Sequence, residues 1–327
     1  MSVARPVSFA KGARLVRHGE AARGAYVLGR GSAEATVVLP GGETLTVAKF
    51  GAGGMFGEMA LCERGNCTAS VAATADIDGW FIGREDFRAL VAQRSPAAAG
   101  VQHAVTLILS EKLRALNAKV LEVPEPGDRP AAKAGDADPL AGVKRLKKGA
   151  FDFRPFLPLL PFFDGFDEPE IDEVVSVSSI LELPRGHGIF IPGQASDAAF
   201  VVLRGAIEIV ASHAKRERRM AVLGPGQLVG YMSLLESSTH GSAARARENA
   251  LLLEIPRKAF EPIYFGASPA STKLHRAIQR SLLSSLAQTN RHLTRLINLA
   301  RLRGAEKEGD RLESALGGQI VAGDESS

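Results

Sequence analysis

The sequence predicts a mainly β protein with α-helical additions, built as two copies of one domain. Three observations carry this prediction. The first is a repeat: Gly12 and Gly186, Gly19 and Gly193, Tyr26 and Phe200, and Gly31 and Gly205 are matched 174 positions apart. Beyond a variable stretch the spacing becomes 173, matching Gly57 with Gly230, Phe87 with Phe260, Pro96 with Pro269 and Asn117 with Asn290. One residue lost in a hairpin loop accounts for the change. The second is that each copy opens with short β-rich runs punctuated by glycine. The third is that each copy closes in a segment of helical period.

Residues 7–90 read as strands, with runs at Tyr26–Leu28, Ala35–Leu39 and Leu45–Val47 and a hairpin signal at Pro40, Gly41 and Gly42. From Pro96 to Val120 the period is helical, with Val105, Ile108, Leu109, Leu113 and Leu116 on one stripe. Residues 121–150 hold four prolines and no apolar periodicity, the mark of a flexible linker, and end in the basic run Lys144–Lys148, read as solvated. The second copy adds a short helical lead-in, Phe156–Phe163 followed by Ile171, Val174 and Val175, then strands over 177–257 that include Phe200–Leu203 and Ala206–Val210. A long helix follows over 271–303, with Leu274, Ile278, Leu282, Leu286, Leu293 and Ile297 on one side. The last 24 residues are polar and glycine-rich. The expected domains are therefore 1–120 and 151–304, joined by the linker 121–150, with a disordered tail over 305–327.

Composition narrows the function. The 327 residues are 45% apolar and 23% charged, enough for two cores, and the net charge of +4 is too weak to argue for nucleic acid. Two cysteines give no disulfide framework and suit a reducing cytoplasm. Neither a signal peptide nor a transmembrane run of roughly 18 apolar residues is read in the sequence. No Walker-type motif, zinc-spaced Cys/His set or nucleophile elbow is present, so neither catalysis, a metal nor a cofactor is expected.

The chemically loaded segment is Phe56–Val71. It follows a glycine turn at 51–54 and holds a short apolar piece fit for one helical turn. Exposed amides at such a turn favour an anion, Gly57 permits close backbone approach, and Glu58 is placed to accept hydrogen bonds from a pair of hydroxyls such as a ribose diol. Read as a whole, Phe56-Gly-Glu-Met-Ala-Leu, five residues, then Cys67-Thr-Ala-Ser-Val resembles the phosphate-binding cassette of cyclic-nucleotide-binding domains. The spacing from Gly12 to Glu20, the run Tyr26–Leu28, Gly31 and the closing Arg84–Phe87 fit the same family. The resemblance covers nearly the whole chain. It implies two jelly-roll-like β-barrels, each followed by a C-terminal helix, as in catabolite-activator-type regulators and, in tandem, the regulatory subunits of kinase A.

The resemblance implies that Glu58 binds a ribose hydroxyl, and that the amides of Gly57, Glu58, Met59 and Ala60, the Thr68 hydroxyl and the Ala69 amide approach a cyclic phosphate. Where the family carries its phosphate arginine, this chain has Cys67; Arg64, three residues earlier, is the alternative cation. A small thiol filling the vacated arginine space is preferred to a redox switch at Cys62 and Cys67. In the second copy Tyr231 follows Gly230 where Glu58 stood, and His240, followed by Gly241, takes the arginine position, so this cassette is expected to be degenerate. The ligand is then cyclic AMP, cyclic GMP or a nucleoside, bound by the first domain. The function expected is non-enzymatic, cytoplasmic regulation through an unknown protein partner. Two alternatives stand beside it, a ligand-free scaffold and an anionic-surface binder. The latter would act through Lys273, Arg276, Arg280, Arg291, Arg295, Arg301 and Arg303 of the last helix, which carries no acid. The apolar stripe of that helix suggests a homodimer seam. With only a polar tail after it, no recognition helix is expected and no sequence-specific DNA binding.

Overall fold

The computed structural model describes residues 4–38, 44–125, 128–130, 138–146, 153–214, 216–266 and 268–302. They form two compact units, one from Met1–Val101 with Ser284–Ser327 and one from Gln102–Leu283. The first unit begins with strands β1 (Ala4–Phe9), β2 (Arg14–Val16), β3 (Gly24–Arg30), β4 (Ala33–Val38), β5 (Thr44–Phe50) and β6 (Met55–Phe56). The short helix α1 (Met59–Cys62) separates these from β7 (Ser70–Ala73) and β8 (Ile77–Gly83), and α2 (Arg84–Ala92) follows. The strands form two antiparallel sheets ordered β1-β8-β3-β6 and β2-β7-β4-β5, a jelly-roll-like arrangement. Alternation puts Leu28, Phe56 and Ile77 of one sheet against Ala33, Ala35, Val37, Val47, Val71 and Ala73 of the other, and these make the core. The turn at 40–42 lies outside the described residues, but β4 and β5 pair on either side of it from Ala33↔Phe50 to Val38↔Thr44.

Helix α3 (Pro96–Glu122) buries Val105, Leu109, Leu113, Leu116 and Val120. The segment expected to be a flexible linker contributes, among its described residues, strands β9 (Arg129–Pro130) and β10 (Lys144–Leu146). Of the basic run, Lys144 reaches Glu182 at 2.6 Å and Arg145 reaches Glu254 at 3.4 Å, so these two charges are paired rather than simply solvated; Lys147 and Lys148 lie outside the described residues. The helical lead-in is present as two 3-10 turns, Arg154–Leu159 and Pro161–Phe163, and helix α4 (Glu168–Ser176), which opens on a reciprocal capping box between Asp167 and Glu170.

The second set of strands runs β11 (Ser179–Leu183), β12 (Gly188–Phe190), β13 (Ala198–Arg204), β14 (Ile207–His213), β15 (Arg216–Leu223) and β16 (Leu228–Val229). Helix α5 (Tyr231–Leu235), β17 (Ala243–Ala246), β18 (Ala250–Pro256), α6 (Arg257–Phe265) and α7 (Pro269–Leu302) complete it. Its sheets repeat the first pattern with the linker strands added at the edges: β10-β11-β18-β13-β16 and β12-β17-β14-β15-β9. The matched glycines have a physical reason. Gly31 and Gly205 both have positive φ, 89° and 84°, and a Cβ would fall 2.1 Å from Asp76 O and 2.5 Å from Asn249 O.

Arg218 of β15 fastens α3 and the linker to this unit. Its guanidinium, 6% exposed, donates to Val120 O and Val123 O at 2.6 Å each, and holds both oxygens of Asp128 at 2.7 Å. It thus satisfies the orphan carbonyls at the C-terminal end of α3 with a cation. Within the second unit Leu274, Ile278 and Leu282 of the α7 stripe are each at most 2% exposed, so this part of the expected homodimer seam is not an exposed surface; the Ile297 side chain lies outside the described residues. Of the basic residues of α7, Lys273 and Arg280 are paired with Glu170 and Asp164. Arg303 and the tail lie outside the described residues. Among the described residues no helix is long and apolar enough to cross a membrane.

Candidate functional site

The cassette of the first unit is the β6–α1–β7 connection. Gly57 adopts φ 74°, and a Cβ there would lie 2.7 Å from Gly24 O, so only glycine fits between β3 and the turn. Glu58 then opens α1 and is 2% exposed, a burial that carboxylates rarely accept without hydrogen bonds. The Ala60 amide donates to Gly57 O at 3.1 Å and is committed to the turn. Met59, Thr68 and Ala69 are half-buried along the same connection.

An arginine holds this cassette from behind. Arg84 Nε donates to Ala60 O at 2.5 Å, and its Nη2 donates to Ala22 O at 2.9 Å and Glu63 O at 2.7 Å. In the second unit Arg257 does the equivalent work, donating to Ser196 O at 2.7 Å and Leu234 O at 3.4 Å. Both copies keep this structural cation. Its role was not read from the sequence, although Arg84 and Arg257 stand 173 apart and the repeat alone would have paired them. Arg64 is exposed and its charge acts on Arg84, on the clamp side of the turn.

Cys67 and His240 occupy one position of the fold. Cys67 N donates to Glu20 O and its carbonyl accepts from Gly19 N, at 2.7 and 2.8 Å; His240 N donates to Gln194 O and its carbonyl accepts from Gly193 N, at 2.9 and 2.8 Å. Their surroundings differ. The Cys67 thiol is half-buried and is pushed up by burial and by the nearby Glu20. Burial, Glu58 and Glu63 push Cys62 up to about 12, so neither thiol is held as the thiolate that redox chemistry needs. His240 is 5% exposed, its ring stacked on Phe190 at 3.8 Å and 6°, and burial and Arg114 push it down to about 4 against the pull of Asp197.

The remaining positions extend the contrast. Leu15, Val16 and Tyr26 pack half-buried against the core of the first unit, whereas their counterparts Ile189, Phe190 and Phe200 are at most 4% exposed. Tyr26 stands in an aromatic group with Phe56 at 5.1 Å and Phe81 at 4.8 Å, and burial and Cys67 shift its phenol upward against the opposing pull of Arg23. Tyr231, in the position of Glu58, is 5% exposed and donates to Ser281 Oγ of α7 at 3.3 Å; burial pushes its phenol up to about 12. Gly230 keeps φ 78°, but its face is covered by the Phe190 ring, which a Cβ would meet at 3.2 Å.

Helix α3 closes the rest of the second cassette. Arg114 reaches Glu236 at 2.6 Å, Ser238 at 3.4 Å and Ser233 at 3.5 Å, and Nη1 lies 3.1 Å from where a Cβ on Gly241 would stand. Ser110 donates to the same Glu236 at 2.5 Å. Neither Arg114 nor Glu236 carries a local sequence signal; the pairing spans 122 residues and exists only in the fold. Among the described residues no cluster of His, Cys, Asp and Glu is arranged to hold a metal ion.

The sequence pattern of the cyclic nucleotide-binding domain matches residues 6–94 and 180–265, together more than half of the chain. The chain therefore belongs to the cyclic nucleotide-binding domain family, with two domains in tandem. It is similar to the cyclic AMP receptor protein of Thermus thermophilus, 34% identical over 92 residues, covering 28% of this chain and 43% of that protein. It is similar also to the CRP-like cAMP-activated global transcriptional regulator of Mycobacterium tuberculosis, 25% identical over 118 residues, covering 36% of this chain and 51% of that one. The chain spans about half the length of the curated relatives it matches. Among solved structures it is similar to the regulatory domain of Toxoplasma gondii PKA in co-crystal with cAMP. That match is 18% identical with a TM-score of 0.34, covering 87% of this chain and 85% of the other.

Proposed function

We propose that this chain is a non-enzymatic regulator in which the first domain binds a purine nucleoside or cyclic nucleotide and the second is a closed copy that takes no ligand. One observation carries the reading. Leu15, Val16, Tyr26 and Cys67 of the first copy are only half-buried, and at the four matched positions the second copy carries the buried Ile189, Phe190, Phe200 and His240. In the first cassette Glu58 accepts the ribose hydroxyls, and the half-buried Tyr26, stacked on the core residue Phe56, offers an aromatic face to the ligand. The phosphate of a cyclic nucleotide meets the Thr68 hydroxyl and the amides of Gly57 and Ala69 without a side-chain cation at position 67. A charge-assisted bond is worth about 1.5–3 kcal/mol, so the site discriminates weakly between a neutral nucleoside and a cyclic phosphate.

Regulation follows from α3. A ligand that binds one arrangement of the first domain better than another biases the helix that continues from it, and that helix carries Arg114 onto Glu236. The output is a protein contact that depends on this arrangement. Calorimetry of the full chain with cyclic AMP, cyclic GMP and adenosine tests the reading. Saturable binding of at least one, lost in Glu58→Ala and kept in Tyr231→Phe, supports it. Absence of binding for all three replaces it with the scaffold reading, which the engaged Ala60 amide and the missing arginine favour.

A further inference from the structure

We propose that the outer face of the β12-β17-β14-β15-β9 sheet carries a binding site for a small ligand bearing two or more phosphate groups. A cavity of about 280 Å³ opens there, lined by Arg129, Arg185, Arg219 and Arg247 around Glu208. The four arginines come from four separate segments: β9, the turn before β12, β15 and the turn after β17. Pairing of Arg129 opposite Glu217 places the first of them, so the linker strand builds one wall. Glu208 and Arg245 alternate with the buried Ile207, Ala244 and Ala246, which turns the site outward, and it shares no residue with the cassette.

The charges around the cavity are unbalanced. Glu208 is bonded to Arg245, which also holds Glu217 at 3.0 Å, and Asp128 beside β9 is held by Arg218 and Arg216. Among the described residues none of the four lining arginines makes an ion pair. Four guanidinium groups facing one cavity repel each other, and the fork of each matches a phosphate in two-point contact. One phosphate, at most about −2, leaves them half compensated, whereas two balance them. The cavity is of the size that small-molecule sites begin at, about 300 Å³. The first domain lacks the feature: its register puts Thr46 and Thr74 where the second has Arg219 and Arg247. The fold therefore does not require these arginines.

The test uses calorimetry of the full chain with inorganic tripolyphosphate and with orthophosphate, and vesicle sedimentation with phosphatidylcholine alone and with added phosphatidylinositol bisphosphate. Tripolyphosphate should bind more tightly than orthophosphate. Arg219→Gln with Arg247→Gln should weaken it about tenfold or more, while the charge-matched Lys11→Gln with Arg14→Gln leaves it unchanged. Sedimentation with the phosphoinositide vesicles that is lost in the first double variant assigns the ligand to a lipid headgroup; tripolyphosphate binding without sedimentation assigns it to a free phosphorylated molecule. No tripolyphosphate binding at millimolar concentration, or equal loss in both double variants, overturns the proposal.

Discussion

The two cassettes share a backbone and differ in what fills it. Each has a left-handed glycine, a short helix, an arginine clamp on the helix carbonyls and the same pair of main-chain bonds at position 67 or 240. In the first, a buried carboxylate stands beside a half-open wall. In the second, Phe190 stacks on His240, Tyr231 reaches Ser281 and Arg114 covers Glu236. The difference teaches that replacing Glu58 and Cys67 by Tyr231 and His240 at matched positions does not leave a hole. The volume and the polar groups are taken up by larger aromatics and by a neighbouring helix, because an empty cavity and unpaired buried groups both cost stability.

The largest test of this comparison is on the anchor that holds α3 and the linker to the second unit. Asp128→Ala leaves Arg218 buried with only Glu125 at 3.7 Å and two carbonyls facing it. We expect a loss of about 3 kcal/mol in urea unfolding followed by circular dichroism. The fluorescence of Trp80, which belongs to the first unit, should shift less.

Acid should separate the two units next. His240 and His275 are held neutral, both pushed down to about 4, His275 by burial first and with no partner for its Nδ1. Unfolded histidine takes its proton near pH 6.5, so between about 6.5 and 4 the unfolded chain binds more protons and stability falls as pH falls. Each histidine contributes on the order of 2 kcal/mol to that loss. His240→Phe keeps the stack on Phe190 without the titration, and unfolding at pH 7 and pH 4.5 should show a smaller drop than wild type.

Restoring arginine should act oppositely in the two cassettes. Cys67→Arg enters a half-open wall and should tighten cyclic-nucleotide binding by about 1.5–3 kcal/mol. His240→Arg must displace the Phe190 stack beside Arg114 and should lower stability by about 1–3 kcal/mol without creating binding. Nucleotide binding gained by His240→Arg would erase the distinction between the copies. A finer probe is Arg114→Leu: with its charge gone, the His240 resonance in an NMR titration should move to higher pKa. The smallest effect concerns the thiols. Both should react slowly with a disulfide reagent at neutral pH, Cys62 more slowly than Cys67, with no change in fold.

The sequence by itself determined the repeat, the β-rich halves, the two closing helices and the equivalence of Cys67 with His240. These are written in glycine positions and apolar periods, which act within a few residues: Gly31 and Gly205 are required by a local φ, and the stripe from Val105 to Leu116 by a local helical period. The replacement of Glu58 by Tyr231 was legible for the same reason, since a repeat supplies its own reference. Tertiary structure alone decided what the replacements do. Arg114 meets Glu236 across 122 residues, Arg218 meets Asp128 across 90, and described parts of the linker form two edge strands because β11 and β15 offer them partners. Such contacts depend on which surfaces the fold brings together, and no period or motif in one segment specifies the charge waiting on another.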